Sequence, residues 1–106
     1  ITYDQFKNIE LKTAKIVSAE KVEGADKLLK IQIEINNEKR QIISGIAEHY
    51  SSEELINKII IVVTNLKPAK IFGIESYGML LAAKKGKDLT LITLDSEKVN
   101  TGMTIY

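Results

Sequence analysis

The chain has 106 residues, and its 15 basic and 14 acidic side chains give a net charge of +1. This length predicts one domain, residues 1–106, which can fold around its own core. The absence of cysteine excludes disulfides and thiolate metal sites and fits a cytoplasmic location. No apolar run reaches the roughly 20 residues of a membrane span. The near-neutral charge argues against strong non-specific nucleic-acid binding.

The first half of the chain predicts a short helix and three strands. Thr2 followed by Gln5 fits a helix capping box. Residues 11–22 are rich in β-compatible side chains and lack Gly and Pro, which predicts a long first strand. After a turn at 24–26, residues 29–35 alternate apolar and polar side chains, which predicts a strand with one buried face. Asn36-Asn37 suits a tight turn into a return strand over 39–44.

The second half predicts another helix and further strands. Ser52 precedes two glutamates and is the expected N-cap of one or two helical turns. Residues 59–64 begin with five β-branched apolar residues, which predicts a strand buried on both faces that ends before Pro68. Two more strands are expected around 77–83 and 89–94, and 103–106 fits a final edge strand.

This order of elements predicts the fold class. About six short strands, with a helix between the third and the fourth, suit an all-β Greek-key barrel of the oligonucleotide/oligosaccharide-binding (OB) class with short flanking helices. An SH3-like barrel and an open sandwich stay open as alternatives.

The sequence offers no catalytic or metal-binding signature. His49 is the only histidine, so a histidine metal cluster is excluded. Glu53 and Glu54 are adjacent and do not face each other on a helix. Neither a nucleophile elbow nor a glycine-rich phosphate loop is present. We therefore expect no catalytic residue, no metal and no cofactor, and a chain that is not an enzyme by itself.

The polar residues of 65–83 are the best candidates for ligand binding. Residues 66–87 carry five lysines against one glutamate, a net charge of +4. Lysines contact phosphates, Asn and Ser hydrogen-bond sugars, phosphates or base edges, and a flat or apolar group can lie against a base. This mixture suggests RNA binding, although a solvated lysine-rich loop, a capping Asn65 and a buried Met79 fit the same pattern. The residues concerned are Asn65, Lys67, Lys70, Ser76 and Met79.

Several motifs in this order resemble one known family. They lie at Phe6 with 10–16, and at 25–29, 40–47, 53–55, 65–70 and 73–79, the last two reading Asn-Leu-Lys-Pro-Ala-Lys and Gly-Ile-Glu-Ser-Tyr-Gly-Met. They are similar to those of the tRNA-binding domain family, which includes the appended C-terminal domain of many methionyl-tRNA synthetases and free-standing small tRNA-binding proteins. The resemblance covers nearly the whole chain and implies the same barrel.

The resemblance implies a non-catalytic module that binds tRNA largely by shape, with little sequence preference. It suggests that the chain is the C-terminal domain of a methionyl-tRNA synthetase or a stand-alone relative, with a tethered synthetase catalytic domain as a further partner and no membrane. Tyr77 stands where the family often has Gln or Glu. The resemblance implies RNA contacts at Lys27, Asn65, Ser76 and Met79, and it places Lys67 and Lys70 at the family's usual basic positions.

The resemblance also implies a homodimer whose C-terminal segment lies near the dimer contact. Met103 and Ile105 alternate with Thr104 and Tyr106, as expected for an edge strand that pairs across a two-fold axis. Two other functions stay open at this point. Export-related chaperone-like proteins share the fold and several motifs and would bind extended polypeptide, and a pure dimerisation module would bind neither RNA nor peptide.

Overall fold

The structure, a computed structural model, describes residues 1–106. Its elements are, in chain order, α1 (Tyr3–Phe6), β1 (Leu11–Val22), β2 (Ala25–Ile35), β3 (Glu38–Ser44), α2 (Ser52–Leu55), β4 (Ile59–Val63), β5 (Ala69–Ile71), β6 (Ile74–Ser76), β7 (Met79–Leu80), β8 (Ala82–Lys85), β9 (Asp88–Leu91) and β10 (Thr104–Ile105). Neither helix is long or apolar enough to cross a membrane. Most of the regular structure is strand, which confirms the all-β prediction.

The main sheet is antiparallel and is organised around β1. The strands lie in the order β3-β2-β1-β4-β7, and β10 also pairs with β1. The first part of β1 pairs with β4, and the part from Lys15 to Val22 pairs with β2. A register shift between Ile16 and Ser18 marks the irregularity at which a strand bends. Beyond β3, the amide of Tyr77 donates to the carbonyl oxygen of Gln41 at 2.9 Å, so the chain after β6 borders the β3 edge. This arrangement confirms the OB-like barrel.

The core follows the alternation in β2. Leu29, Ile31 and Ile33 are completely buried, whereas the intervening polar residues point to the other face. Fully burying one such side chain contributes about 1.5–3 kcal/mol. β4 is buried on both faces, as predicted, because Ile60 and Val62 lie in the main core and its other face packs in a second cluster with Leu11 and Ile105.

The early elements agree with the sequence predictions, with small shifts. Thr2 caps α1, and Gln5 completes the capping box. The turn between β1 and β2 lies at 23–24, so β2 begins at Ala25 and not after 26. The predicted N-cap Ser52 is wrong: Ser51 caps α2, because its hydroxyl accepts from the amide of Glu54 and the Glu54 carboxylate accepts from the Ser51 amide.

The region after β4 differs most from the prediction. One strand was expected over 77–83, but β7 and β8 are separate, and β8 pairs with β9 in a hairpin of its own. A second hairpin, β5–β6, precedes them and was not predicted. Its turn residues Phe72 and Gly73 have φ values of 54° and 77°, the combination of a type I′ hairpin turn. This β5–β6 hairpin carries two of the predicted site residues, Lys70 and Ser76, and Lys67 precedes it.

Candidate nucleic-acid interface

A groove of about 680 Å³ lies between β3 and the connection that links β4 to β5. Its β-sheet side is polar, and its other wall is formed by the chain on either side of the β5–β6 hairpin. The residues that line it are Gln32, Glu38, Lys39, Arg40, Gln41, Thr64, Leu66, Pro68 and Tyr77. The groove therefore offers amide and cationic groups next to apolar and aromatic surface.

Arg40 holds the two sides of the groove together. Its Nη1 donates to the carbonyl oxygens of Thr64 at 2.7 Å and of Tyr77 at 3.2 Å. Its Nε donates to the carboxylate of Glu38 at 2.9 Å. The planar guanidinium has five N–H donors in a fixed geometry. These bonds therefore fix the two ends of the groove wall, at Thr64 and Tyr77, and also the orientation of the Arg40 side chain.

Two glutamines join the groove to the β5–β6 hairpin. The Gln32 amide nitrogen donates to the Gln41 side-chain oxygen at 3.1 Å. Gln41 in turn donates from Nε2 to the carbonyl oxygen of Glu75 at 2.9 Å. These side chains lie on the polar face of β2 and β3, and their bonds seat β6 against β3.

Ser76 lies in the fold and not on its surface. Its side chain is 4% exposed. Its hydroxyl accepts from the amide of Ile43 at 3.0 Å and donates to the carbonyl oxygen of Gly78 at 3.2 Å. Because a hydroxyl has one proton to donate, the direct RNA contact expected from the sequence is corrected to a structural role: Ser76 fixes the hairpin to β3.

Asn65 is exposed but its amide is also engaged. Its Oδ1 accepts from the amide of Glu10 at 2.9 Å, and its Nδ2 donates to the carbonyl oxygen of Asn8 at 2.8 Å. Asn65 thus joins the end of β4 to the segment between α1 and β1. These bonds position the connection that forms the groove wall. Each amide atom keeps one further hydrogen-bonding position, so the RNA contact expected for Asn65 stays a prediction.

The four other predicted contact residues are exposed. Lys67 stands between two groove-lining residues, Leu66 and Pro68. Lys70 lies on β5 opposite Glu75. Met79, on β7, is 48% exposed, so it is not a core methionine. Lys27 lies near the start of β2, where its carbonyl oxygen accepts from the amide of Ala47. Their roles as RNA contacts stay predictions.

Sequence reasoning missed most of the residues that line the groove. Gln32 and Gln41 could have been found, because both stand at polar positions of predicted strands. Arg40 appeared only as part of a motif, and its role depends on carbonyl oxygens 24 and 37 residues away. Tyr77, which was a departure from the family pattern, is exposed and lines the groove.

The basic segment is divided between two places in the structure. Lys67 and Lys70 lie at the β5–β6 hairpin, whereas Lys84, Lys85 and Lys87 lie on the β8–β9 hairpin. The latter three border a separate hollow of about 360 Å³ that also includes His49. The structure brings together no three His, Cys, Asp or Glu residues that could hold a metal ion.

The C-terminal segment is bonded to its own chain. β10 pairs antiparallel with the start of β1, with Ile105 opposite Leu11. The Thr13 hydroxyl donates to the carbonyl oxygen of Asn100 and accepts from the amide of Met103. Ile105 packs in the second apolar cluster, while the Met103 side chain is 46% exposed. The dimer contacts expected for Met103 and Ile105 stay predictions.

Comparison with known proteins now adds a family to this geometry. The family profile described as "Putative tRNA binding domain" matches residues 11–103. The chain belongs to this family. The family's profile thus covers nearly every element from β1 to the segment before β10, including the groove and both hairpins.

Individual relatives agree with that assignment. The chain is 58% identical to the methionine–tRNA ligase of Thermotoga maritima over 97 residues, which are 92% of this chain but 15% of that enzyme. A MetRS-related protein from Pyrococcus horikoshii has the same fold, with a TM-score of 0.93 and 36% identity over 100% of this chain and 97% of that one. The CsaA chaperone protein of Picrophilus torridus follows with a TM-score of 0.90 and 28% identity, over 100% and 99% of the two chains.

Proposed function

We propose that this tRNA-binding-family domain binds tRNA at the groove beside β3 and performs no chemistry on it. The observation that carries the proposal is the groove itself, in which the Gln32–Gln41 amide pair and Lys39 face a wall containing Tyr77. Amide, cationic and aromatic groups of this kind suit phosphates, sugars and unpaired bases. The family and its synthetase relatives support the same conclusion.

The groove residues and the lysines have different parts in this proposal. Lys67 and Lys70 attract phosphates at the hairpin, Lys27 adds a further phosphate contact, and Met79 packs against nucleotide surface. Asn65 and Ser76 act indirectly, because their bonds hold the wall and the hairpin in place. Recognition of backbone and shape by so few groups fits binding with little sequence preference.

The wider role follows from the relatives. The chain spans 15% of the Thermotoga maritima synthetase, so we propose that a catalytic domain in the same or an associated protein uses this module to raise the local tRNA concentration. Such a module would work in the cytoplasm, where tRNA is aminoacylated. It would not be an enzyme by itself.

We also propose that two copies associate through the C-terminal segment. A hollow of about 280 Å³ beside α1 and β10 is lined by Tyr3, Ile9 and Tyr106 among other apolar residues. Exposed apolar side chains next to an edge strand are suited to a two-fold contact. A dimer would present two grooves to one folded RNA.

The decisive experiment is a titration of the purified domain with tRNA at two salt concentrations, together with a mass measurement in solution. We expect binding that weakens with salt, with a slope that reflects a few phosphates, since log K falls by about 0.7–0.9 per contact for each unit of log salt concentration. An unfolded peptide is the comparison ligand, because a CsaA chaperone has the same fold. Binding of the peptide but not of tRNA would refute the proposal.

A further inference from the structure

Phe72 occupies a backbone conformation that aromatic residues avoid. It forms the turn of the β5–β6 hairpin with φ 54°, next to Gly73 with φ 77°. A type I′ turn favours Asn-Gly at these positions, and a bulky residue with positive φ is a genuine outlier. Strained residues of this kind cluster at functional sites. An aromatic side chain at this turn therefore needs an explanation beyond the turn itself.

Packing against the core does not provide that explanation. The Phe72 side chain is 61% exposed. Its far edge lies beside the β1–β2 turn, since a Cβ added at Gly24 would lie 3.6 Å from Cζ and 3.7 Å from Cε2. The ring edge therefore lies beside Gly24, and more than half of the residue is exposed.

The ring lies along the same surface as the groove. It borders a crevice that also includes Lys30 of β2, and Lys30 is two residues from groove-lining Gln32 on the same polar face of that strand. The hairpin consists of three residue pairs, a length of roughly 10 Å at the usual rise per residue. Its base lines the groove, and its tip carries Phe72, so one nucleotide strand in the groove can reach the ring.

The charges of the crevice favour an uncharged ligand group. Its lining includes Glu20, Lys21, Glu23 and Lys30, two acids and two bases, and the Lys30 ammonium forms an ion pair with the Glu20 carboxylate at 2.7 Å. A balanced rim of this kind has no net attraction for phosphate. A purely apolar protein segment would have to desolvate these charges, whereas a base has one polar edge and a flat apolar face.

We propose that Phe72 is a stacking platform for an unpaired base of the bound RNA. The phosphates adjoining that base are neutralised by Lys67, which precedes the hairpin, and by Lys70 in its middle residue pair. The turn fixes the backbone position from which the ring projects. This inference rests on the proposed tRNA binding and specifies which side chain meets an unpaired base.

Three substitutions separate stacking from a structural role. Phe72→Asn suits the positive φ, so we expect an unchanged or higher Tm together with tRNA affinity reduced about 10-fold, within the range of base–aromatic stacking. Phe72→Leu keeps an apolar contact with Gly24 but lacks a π face, and should lose a similar factor. Phe72→Tyr should bind within about twofold of the wild type, since it retains the ring. Affinity is measured by fluorescence anisotropy and Tm by circular dichroism.

A fourth variant gives a direct signal at the ring. The chain contains no tryptophan, so Phe72→Trp places a single reporter at the turn. We expect its emission to be quenched when tRNA saturates the domain, with affinity equal to or higher than that of the wild type. Unchanged emission at saturation, or wild-type affinity in the Asn or the Leu variant, would overturn the stacking proposal alone. Failure of the wild-type domain to bind tRNA would overturn the proposed function, and the stacking proposal with it.

Discussion

The β5–β6 and β8–β9 hairpins both lie outside the main sheet and both carry lysines, but they are attached to it in different ways. The β5–β6 hairpin is held against β3 by polar bonds, from the Gln41 side chain to Glu75 and from the Ile43 amide to the Ser76 hydroxyl. In the β8–β9 hairpin every residue of β8 is exposed. The hairpin is attached through β9, where Leu91 is buried and its amide donates to the Tyr50 hydroxyl, and where Leu89 packs partly against the main core.

The difference has a consequence for binding. Lysines on a docked hairpin stand at a fixed position beside the groove, so they can contribute to where and how the RNA lies. Lysines on the exposed strand of a hairpin that does not border the groove attract phosphate without fixing its position, and ordering their long side chains costs free energy on binding. We therefore expect the two hairpins to contribute unequally although the second has more lysines.

Charge reversal on the docked hairpin should have the largest effect. We expect the double variant Lys67→Glu, Lys70→Glu to lose about 30-fold in tRNA affinity at moderate salt, because two phosphate contacts become repulsions. Both side chains are exposed, but Lys70 lies opposite Glu75, and like charges on facing residues of paired strands are destabilising by roughly 0.2–1 kcal/mol, so we expect a small fall in Tm and a folded domain. Anisotropy titration measures the loss.

The matched control for that variant reverses two charges elsewhere. Lys15→Glu with Lys58→Glu changes the net charge equally, and Lys58 precedes β4 at the end opposite the groove. Both residues are half-buried and Lys15 lies opposite Glu34, so affinity is compared at a temperature at which circular dichroism shows both variants folded. If this control lost as much affinity as the hairpin variant, net charge and not position would account for binding.

The docking of the β5–β6 hairpin can be tested at Ser76. In Ser76→Ala the buried amide of Ile43 loses its acceptor, and we expect a free energy of unfolding lower by about 1–3 kcal/mol. We also expect tRNA affinity to fall several-fold, because the hairpin no longer holds its lysines beside the groove. Chemical denaturation gives the stability.

Ser18→Ala serves as the comparison, since Ser18 is exposed on β1 and surface substitutions usually change stability by less than about 0.5 kcal/mol. A Ser76→Ala variant with full stability would show that the hydroxyl does not hold the hairpin.

The parts of the molecule that could be predicted are those specified by local pattern. The alternation over 29–35 predicted the buried face of β2, and Thr2 with Gln5 predicted the cap of α1. The misplaced cap of α2 had a local signal as well. Ser51 and Glu54 are spaced as a capping box, whereas Ser52 is followed three residues later by Leu55.

The parts that could not be predicted depend on contacts between distant residues. β5 and β6 are three residues each, too short to show an alternation, and a Phe at the turn gives no type I′ signal. Ser76 is buried because it meets Ile43, 33 residues earlier, and Asn65 is engaged by residues 55 and 57 positions away. Residue type alone suggested ligand contacts at both positions.

Charge reversal on the β8–β9 hairpin should have a smaller effect than on the docked one. We expect the triple variant Lys84→Glu, Lys85→Glu, Lys87→Glu to lose about fivefold in affinity. Three full phosphate contacts would contribute roughly two to three units to the slope of log K against log salt concentration, and we expect the slope to change by less than that. Titrations at three or more salt concentrations measure the slope. A loss equal to that of the Lys67, Lys70 double variant would remove the distinction between the hairpins.

The smallest effect on affinity is expected at Asn65. Because both ends of its amide bond the segment between α1 and β1, Asn65→Ala should lower the free energy of unfolding by about 1 kcal/mol and leave tRNA affinity within about twofold. If the amide instead contacts RNA, affinity would fall about 10-fold with little change in Tm. Measuring the free energy of unfolding and the tRNA affinity of this one variant separates the two cases. If Asn65 positions the groove wall, mainly the stability falls, and if it contacts RNA, mainly the affinity falls.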